Sequence, residues 1–207
     1  MQITDTIFLV VVVIFSAIVH EVMHGVAADY LGDKTARYAG RLTLNPIPHI
    51  DMFGSVVLPL LLALSGSPIF FAYAKPVPYN PYNLRPGRFS EAIVAFAGPF
   101  SNLIIALIGG LIIRTGVVAG ASYIIFLIVL VNVMLCLFNL IPVPPLDGSK
   151  VLEALLPRSW QYGYAAWRTR MERQPIVGML VVVVIVYGLG SLWAGFLYGF
   201  ANAIAGT

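Results

Sequence analysis

Five apolar runs dominate the chain, at residues 6–28, 53–73, 91–113, 121–141 and 176–204. Crossing a bilayer takes about 20 consecutive apolar residues, so each run is long enough to span one. Charged residues make up 10% of the chain and hydrophobic ones 59%. A soluble domain carries about a quarter charged residues, and the deficit here rules that class out. Disorder is excluded too, because it requires low hydrophobicity and high net charge. The expected fold class is an all-α polytopic membrane protein. It forms one membrane-embedded domain over 1–207, with a core at 6–150 and a C-terminal amphipathic segment and last span over 151–207.

The second run differs from the rest. Pro59 and the Gly66-Ser67-Pro68 cluster interrupt it, and proline both withholds a helical hydrogen bond and clashes with the preceding turn. The basic residues fix the orientation. Lys34, Arg37 and Arg41 follow the first run; Lys75, Arg85 and Arg88 follow the second. Lys150, Arg158, Arg168, Arg170 and Arg173 follow the fourth, and of the 12 basic residues only Arg114 lies elsewhere. Positive-inside bias places those three groups on the cytoplasmic side. Both flanks of 53–73 are then cytoplasmic, so that segment is expected to enter and return as a re-entrant or broken hairpin. Four transmembrane helices plus this hairpin are expected. The alternative, five to six full spans, puts a basic cluster on the wrong side.

Other features point to packing rather than chemistry. The N-terminal run lacks a basic lead and an A-x-A site, so it is read as the start of a retained helix, not a signal peptide. Cys136 is expected to pack as a small apolar residue. Gly195 and Gly199 form a small-xxx-small pair, read as close packing within the chain in preference to dimerisation; the oligomeric state stays open. The net charge of +3 is too small and dispersed for a nucleic-acid surface, so no nucleic-acid partner is expected.

An ionisable group inside a membrane run is costly and by default marks function. His20, Glu21 and His24 occupy the last turns of the first run as H-E-x-x-H, a pattern that chance produces in about one such sequence per thousand. Positions i and i+4 share a helix face, so both imidazoles reach one metal ion. Glu21 is then placed to act on water as general base. The alternative is a polar cluster facing a helix-lined cavity. A hydrolytic zinc has three protein ligands and one open position. The chain's one further histidine is His49, so the expected third ligand is a carboxylate at the same depth. Asp147 ends the stretch from Asn139 to Gly148 after the fourth run. If the first and fourth spans both run inward, it stands beside His20 and His24. Pro142, Pro144 and Pro145 break the helix there, and Gly148 permits a sharp turn. Asn139 either donates to an oxyanion or ties two spans together by a hydrogen bond; the residues alone weigh both equally.

These residues resemble the site-2 protease family, zinc metalloproteases that cut peptide bonds inside membranes. The resemblance rests on His20-Glu21-Val22-Met23-His24 and on the Asn139–Gly148 stretch, similar to the family's N-x-x-P-x-x-x-x-D-G element. Gly98-Pro99-Phe100-Ser101-Asn102 resembles its G-x-x-x-N motif. The resemblance implies one Zn2+ per chain held by His20, His24 and Asp147. Glu21 becomes the catalytic base, and Asn139 a residue that steadies substrate or intermediate. Gly98 and Asn102 match positions that shape the core, with packing and catalytic roles equally open. The implied activity is hydrolysis of peptide bonds within or near transmembrane helices of membrane-protein substrates. The active site is implied to lie near the cytoplasmic side of the lipid bilayer. With no room for an inserted PDZ domain or a C-terminal CBS pair, the chain resembles the compact prokaryotic branch. That implies a prokaryotic cell (inner) membrane, and recognition by membrane segments, short loops or a separate regulatory membrane protein.

Three stretches carry weaker expectations. His49 and Asp51 stand as a pair supporting the metal ligands or as a substrate lip, against a plain cytoplasmic turn; Asn102 is a further candidate for the same support or lip. Compact relatives show a similar H-I-D stretch, followed by proline where this chain has Met52. Residues 73–82, mixing proline with tyrosine, form an aromatic membrane anchor or gate the substrate's way in. Arg158 to Arg173, interleaved with Trp160 and Trp167, reads as an amphipathic segment on the anionic inner leaflet. Rival functions are a metal transporter, a catalytically silent binding protein and a non-peptide membrane hydrolase.

Overall fold

The computed structural model describes residues 3–57, 61 and 75–206. In chain order the helices are α1 (Ile3–Tyr30), α2 (Thr35–Tyr38), α3 (Ser90–Thr115), α4 (Ser122–Asn139), α5 (Asp147–Leu155), α6 (Arg158–Glu172) and α7 (Pro175–Ala205). A π-helical turn covers Met52–Val57, and no strand occurs among the described residues. Four helices are long and apolar enough to cross a membrane, through Ile7–Tyr30, Ser90–Thr115, Ser122–Asn139 and Ile176–Ala205. They coincide with four of the five apolar runs. The expected hairpin at 53–73 lies largely outside the described residues.

α3 is the hub, packing on α1, α4, α5 and α7. Lipid gives helices no hydrophobic reason to associate, so contact depends on close approach at small residues. A methyl added to Gly109 would stand 2.9 Å from Val129 of α4, and one added to Gly110 would run into Ile204 of α7. Ala106, Val129, Val133, Leu197 and Ala201 fill the seam between these three helices. Among the described residues, nothing lies within 4 Å of an added methyl at Gly195 or Gly199. The expected packing of this pair inside the chain thus has no partner among those residues. The packing glycine of α7 is Gly178, where a methyl would stand 2.5 Å from the Pro144 carbonyl oxygen.

The three basic groups meet at one end of the bundle. Arg41 donates to the Lys75 carbonyl at 2.7 Å, Arg88 to Ala154 at 2.8 Å, and Arg168 pairs with Glu91, Glu153 and Glu172. Arg114 instead donates to the Ile204 and Ala203 carbonyls of the last turn of α7, supplying donors that a helix end lacks.

Asp33 closes the loop after α1. Fully buried, it accepts from the Thr35 N–H (3.1 Å) and hydroxyl (2.5 Å), the Asn80 N–H (2.6 Å) and the Asn83 amide (3.0 Å). Burial pushes its carboxyl up, but these bonds outweigh that and hold it below the usual carboxylate range. A carboxyl depressed on folding stabilises above its unfolded value and loses that contribution as pH falls through the folded one. Asp33→Ala is expected to destabilise the fold by about 2–4 kcal/mol and to flatten the acid limb of thermal stability against pH. An unchanged acid limb in the variant would exonerate Asp33.

Candidate metal centre

The apolar run of α1 places His20 and His24 one turn apart on the face turned to α3, both buried. Asp147, the first residue of α5, comes to them from across the bundle. Its Oδ2 lies 3.1 Å from His20 Nε2 and 3.2 Å from His24 Nε2, and all three donor atoms fall within 4.8 Å of one another. In a tetrahedral site with metal–donor distances of 2.0–2.2 Å, neighbouring donors stand roughly 3.3–3.5 Å apart. The two Asp147 contacts match that spacing, and the two imidazole nitrogens, within 4.8 Å of each other, would close on the ion. Burial raises the Asp147 carboxyl, but the two imidazole contacts outweigh it and hold it well below the usual range, so the group is a carboxylate.

Two glycines make this convergence sterically possible. A methyl on Gly148 would run into the Leu140 carbonyl, where the chain doubles back after α4 to bring Asp147 inward. A methyl on Gly98 would stand 2.5 Å from His24 Nε2 and 2.6 Å from His20 Nε2. Gly98 therefore clears the space in front of both metal-facing nitrogens.

The far side of each ring is held as well. His24 Nδ1 donates to the Val94 carbonyl at 2.7 Å, on a turn of α3 already short of one backbone donor at Pro99. His20 Nδ1 lies 2.7 Å from Asn102 Oδ1. Partners of this kind orient a ligating imidazole and select the nitrogen it offers. Sequence reasoning named Asn102 as a support for the metal ligands or a substrate lip, and the structure sets it against His20; it missed Val94, whose contribution is a carbonyl that any residue would supply.

A cavity of about 200 Å³ opens beside the donors, lined among others by Glu21, Val77, Tyr79, Asn139 and Lys150. Glu21 Oε2 accepts the Val77 N–H at 2.9 Å, which fixes the carboxylate on the cavity wall without joining the donor cluster. Asn139 lines the same space, one amide hydrogen spent on the Leu135 carbonyl at 2.9 Å. Lys150, one turn along α5 from Asp147, donates to the Tyr79 hydroxyl at 2.7 Å. Burial depresses its ammonium, but Tyr79, Glu91 and Asp147 outweigh this and raise it, so it carries charge. Neither Lys150 nor Tyr79 was singled out from sequence; the signal for Lys150 was its i+3 spacing from Asp147.

His49 and Asp51 do not reach this cavity. His49 is 2% exposed, its Nε2 against the Thr43 carbonyl at 2.9 Å. Its own carbonyl accepts the Lys75 N–H at 2.9 Å. Asp51 accepts the Gly54 N–H at 2.7 Å. The loop they belong to braces the segment that bears Val77.

A family model described as Peptidase family M50 matches residues 110–166, which contain the Asn139–Gly148 stretch. YwhC of Bacillus subtilis (strain 168), whose name describes a zinc metalloprotease, is 36% identical over 196 residues, 90% of this chain and 84% of its own. The chain belongs to peptidase family M50, the site-2 proteases. Rip2 of Mycolicibacterium smegmatis, named in the same way, is 28% identical over 178 residues, 84% of this chain and 64% of its own. Rip3 of Mycobacterium tuberculosis (strain ATCC 25618 / H37Rv) is 33% identical over 110 residues, 51% of this chain and 27% of its own. No solved structure matches the chain significantly. As an M50 peptidase with four apolar helices, it is an enzyme and an integral membrane protein.

Proposed function

We propose that this M50 peptidase is a zinc-dependent intramembrane endopeptidase, hydrolysing peptide bonds within or near transmembrane helices of membrane-protein substrates. One observation carries the reading: two imidazole nitrogens and a carboxylate oxygen from opposite ends of the chain converge on one point beside a cavity at the ends of membrane spans. His20, His24 and Asp147 would hold one zinc per chain, and the names of the relatives support that metal. When bound, zinc supplies a Lewis acid that acidifies water and polarises a carbonyl.

The chain's own residues supply the remaining chemistry. Glu21 takes a proton from the attacking water at its carboxylate and delivers it to the departing amine. Asn139 offers its second amide hydrogen to the oxygen that gathers charge. A substrate helix must unwind locally before its carbonyl is open to attack, so helix-destabilising residues near the cut favour cleavage. The basic groups clustered at the site's end of the bundle support a cytoplasm-facing site, in a prokaryotic cell membrane. The chain acts as one domain over 1–207, with recognition by its membrane segments, short loops or a separate regulatory membrane protein.

Metal content of the detergent-purified protein, measured by elemental mass spectrometry, tests this reading. About one zinc per chain is expected, absent in His24→Ala. A folded wild type that stays metal-free after zinc is resupplied would refute it.

A further inference from the structure

Three polar side chains inside the spans meet one another: Ser16 in α1, Asn102 in α3 and Asn132 in α4. Asn102 and Asn132 are fully buried and Ser16 is 6% exposed. An unpaired amide at this depth is costly, yet their hydrogen bonds form one continuous chain that ends on His20. Its direction is fixed by backbone carbonyls, which can only accept. Asn132 Nδ2 donates to the Ile128 carbonyl at 2.9 Å and to the Ser16 hydroxyl at 3.0 Å. Asn132 must therefore present Oδ1 to Asn102, whose Nδ2 donates to it at 2.9 Å and to the Ser16 carbonyl at 3.3 Å. With its Nδ2 so committed, Asn102 can offer His20 only an oxygen, at 2.7 Å. An oxygen acceptor there requires the proton on Nδ1, and a neutral ring with Nδ1–H keeps its lone pair on Nε2. Nε2 is the nitrogen turned to Asp147 and His24.

We propose that Asn132, braced by Ser16, is a positioning residue that sets the tautomer of His20. By fixing the polarity of the Asn102 amide, it holds the His20 lone pair on the metal-facing nitrogen before any metal arrives. His24 achieves the same state directly through the Val94 carbonyl. The difference is consequential, because a carbonyl cannot be inverted whereas an amide can turn over. Without Asn132, only the longer 3.3 Å bond to the Ser16 carbonyl still holds the Asn102 amide, so a share of molecules turns Nδ2 to His20, which moves the proton to Nε2 and weakens metal binding.

The inference rests on the metal reading above, but its primary test needs no metal. Ring nitrogen chemical shifts of 15N-histidine-labelled, metal-free protein at alkaline pH distinguish the two tautomers. The His20 signals are identified by their loss in His20→Ala. Wild type is expected to show His20 as a single Nδ1–H tautomer, and Asn132→Leu a mixture. Zinc affinity by chelator competition should weaken roughly 10–100-fold in Asn132→Leu. Asn132→Asp, with its acid hydroxyl taking over the bond to the Ile128 carbonyl, still presents an acceptor oxygen to Asn102 and should keep the tautomer and affinity nearer wild type than Asn132→Leu, whereas a merely space-filling role would tolerate both. A wild-type His20 protonated on Nε2 overturns the proposal, even if Asn132→Leu does not fold. So does an Asn132→Leu protein with wild-type tautomer and affinity. A correct tautomer in a wild type that binds no zinc would refute the metal reading alone.

Discussion

Glu21→Gln is expected to retain one zinc per chain while lowering turnover by about 10²–10⁴-fold or more, the range that a positioned general base contributes. Glu21 lies outside the donor cluster, so its loss leaves His20, His24 and Asp147 intact. Its Oε2 accepts the Val77 N–H, and glutamine keeps an amide oxygen for that bond, so the side chain should hold its place. What glutamine lacks is a site to receive a proton. Metal content beside cleavage of a transmembrane reporter in proteoliposomes separates the two effects. Near-normal cleavage would move the base elsewhere, and loss of zinc would make Glu21 part of the metal site.

Gly98→Ala should do the reverse, displacing the donors and removing metal from the protein. Glycine in a helix interior costs about 0.5–1 kcal/mol relative to alanine, so the backbone of α3 gains from the change. The new methyl, however, would stand 2.5 and 2.6 Å from the two metal-facing nitrogens. Neither ring can retreat freely, because Asn102 and Val94 hold their far sides. We expect zinc affinity to fall at least about 100-fold, beyond the effect of losing a single supporting partner. Gly199→Ala, whose methyl meets nothing within 4 Å among the described residues, should leave affinity unchanged. Chelator competition and a thermal melt on the three proteins check this. Tight zinc binding in Gly98→Ala would mean that the rings do not sit over that residue.

The spans were legible because length and apolarity are properties of a segment by itself. His20, Glu21 and His24 were legible because i to i+4 spacing is local too, and Asp147 because depth follows from where two spans end. The supporting shell was not. Ser16 and Asn132 are 116 positions apart, and each reads alone as an isolated polar residue in a span. Only helix packing shows that they address the same amide. Gly98 could be marked from sequence as a site of close approach, but not what approaches. Gly195 and Gly199 carry the same limit, since a small-residue pair states that a helix could come near, not which one does.

The donors His20 and Asp147 are 127 residues apart in the chain. At 5–20 residues per second, a ribosome releases the second about 6–25 s after the first. Through that interval α1, α3 and α4 enter the membrane while the donor set lacks its carboxylate. The candidate centre therefore lacks one of its three donors until then, and the last span, Ile176–Ala205, has still to follow.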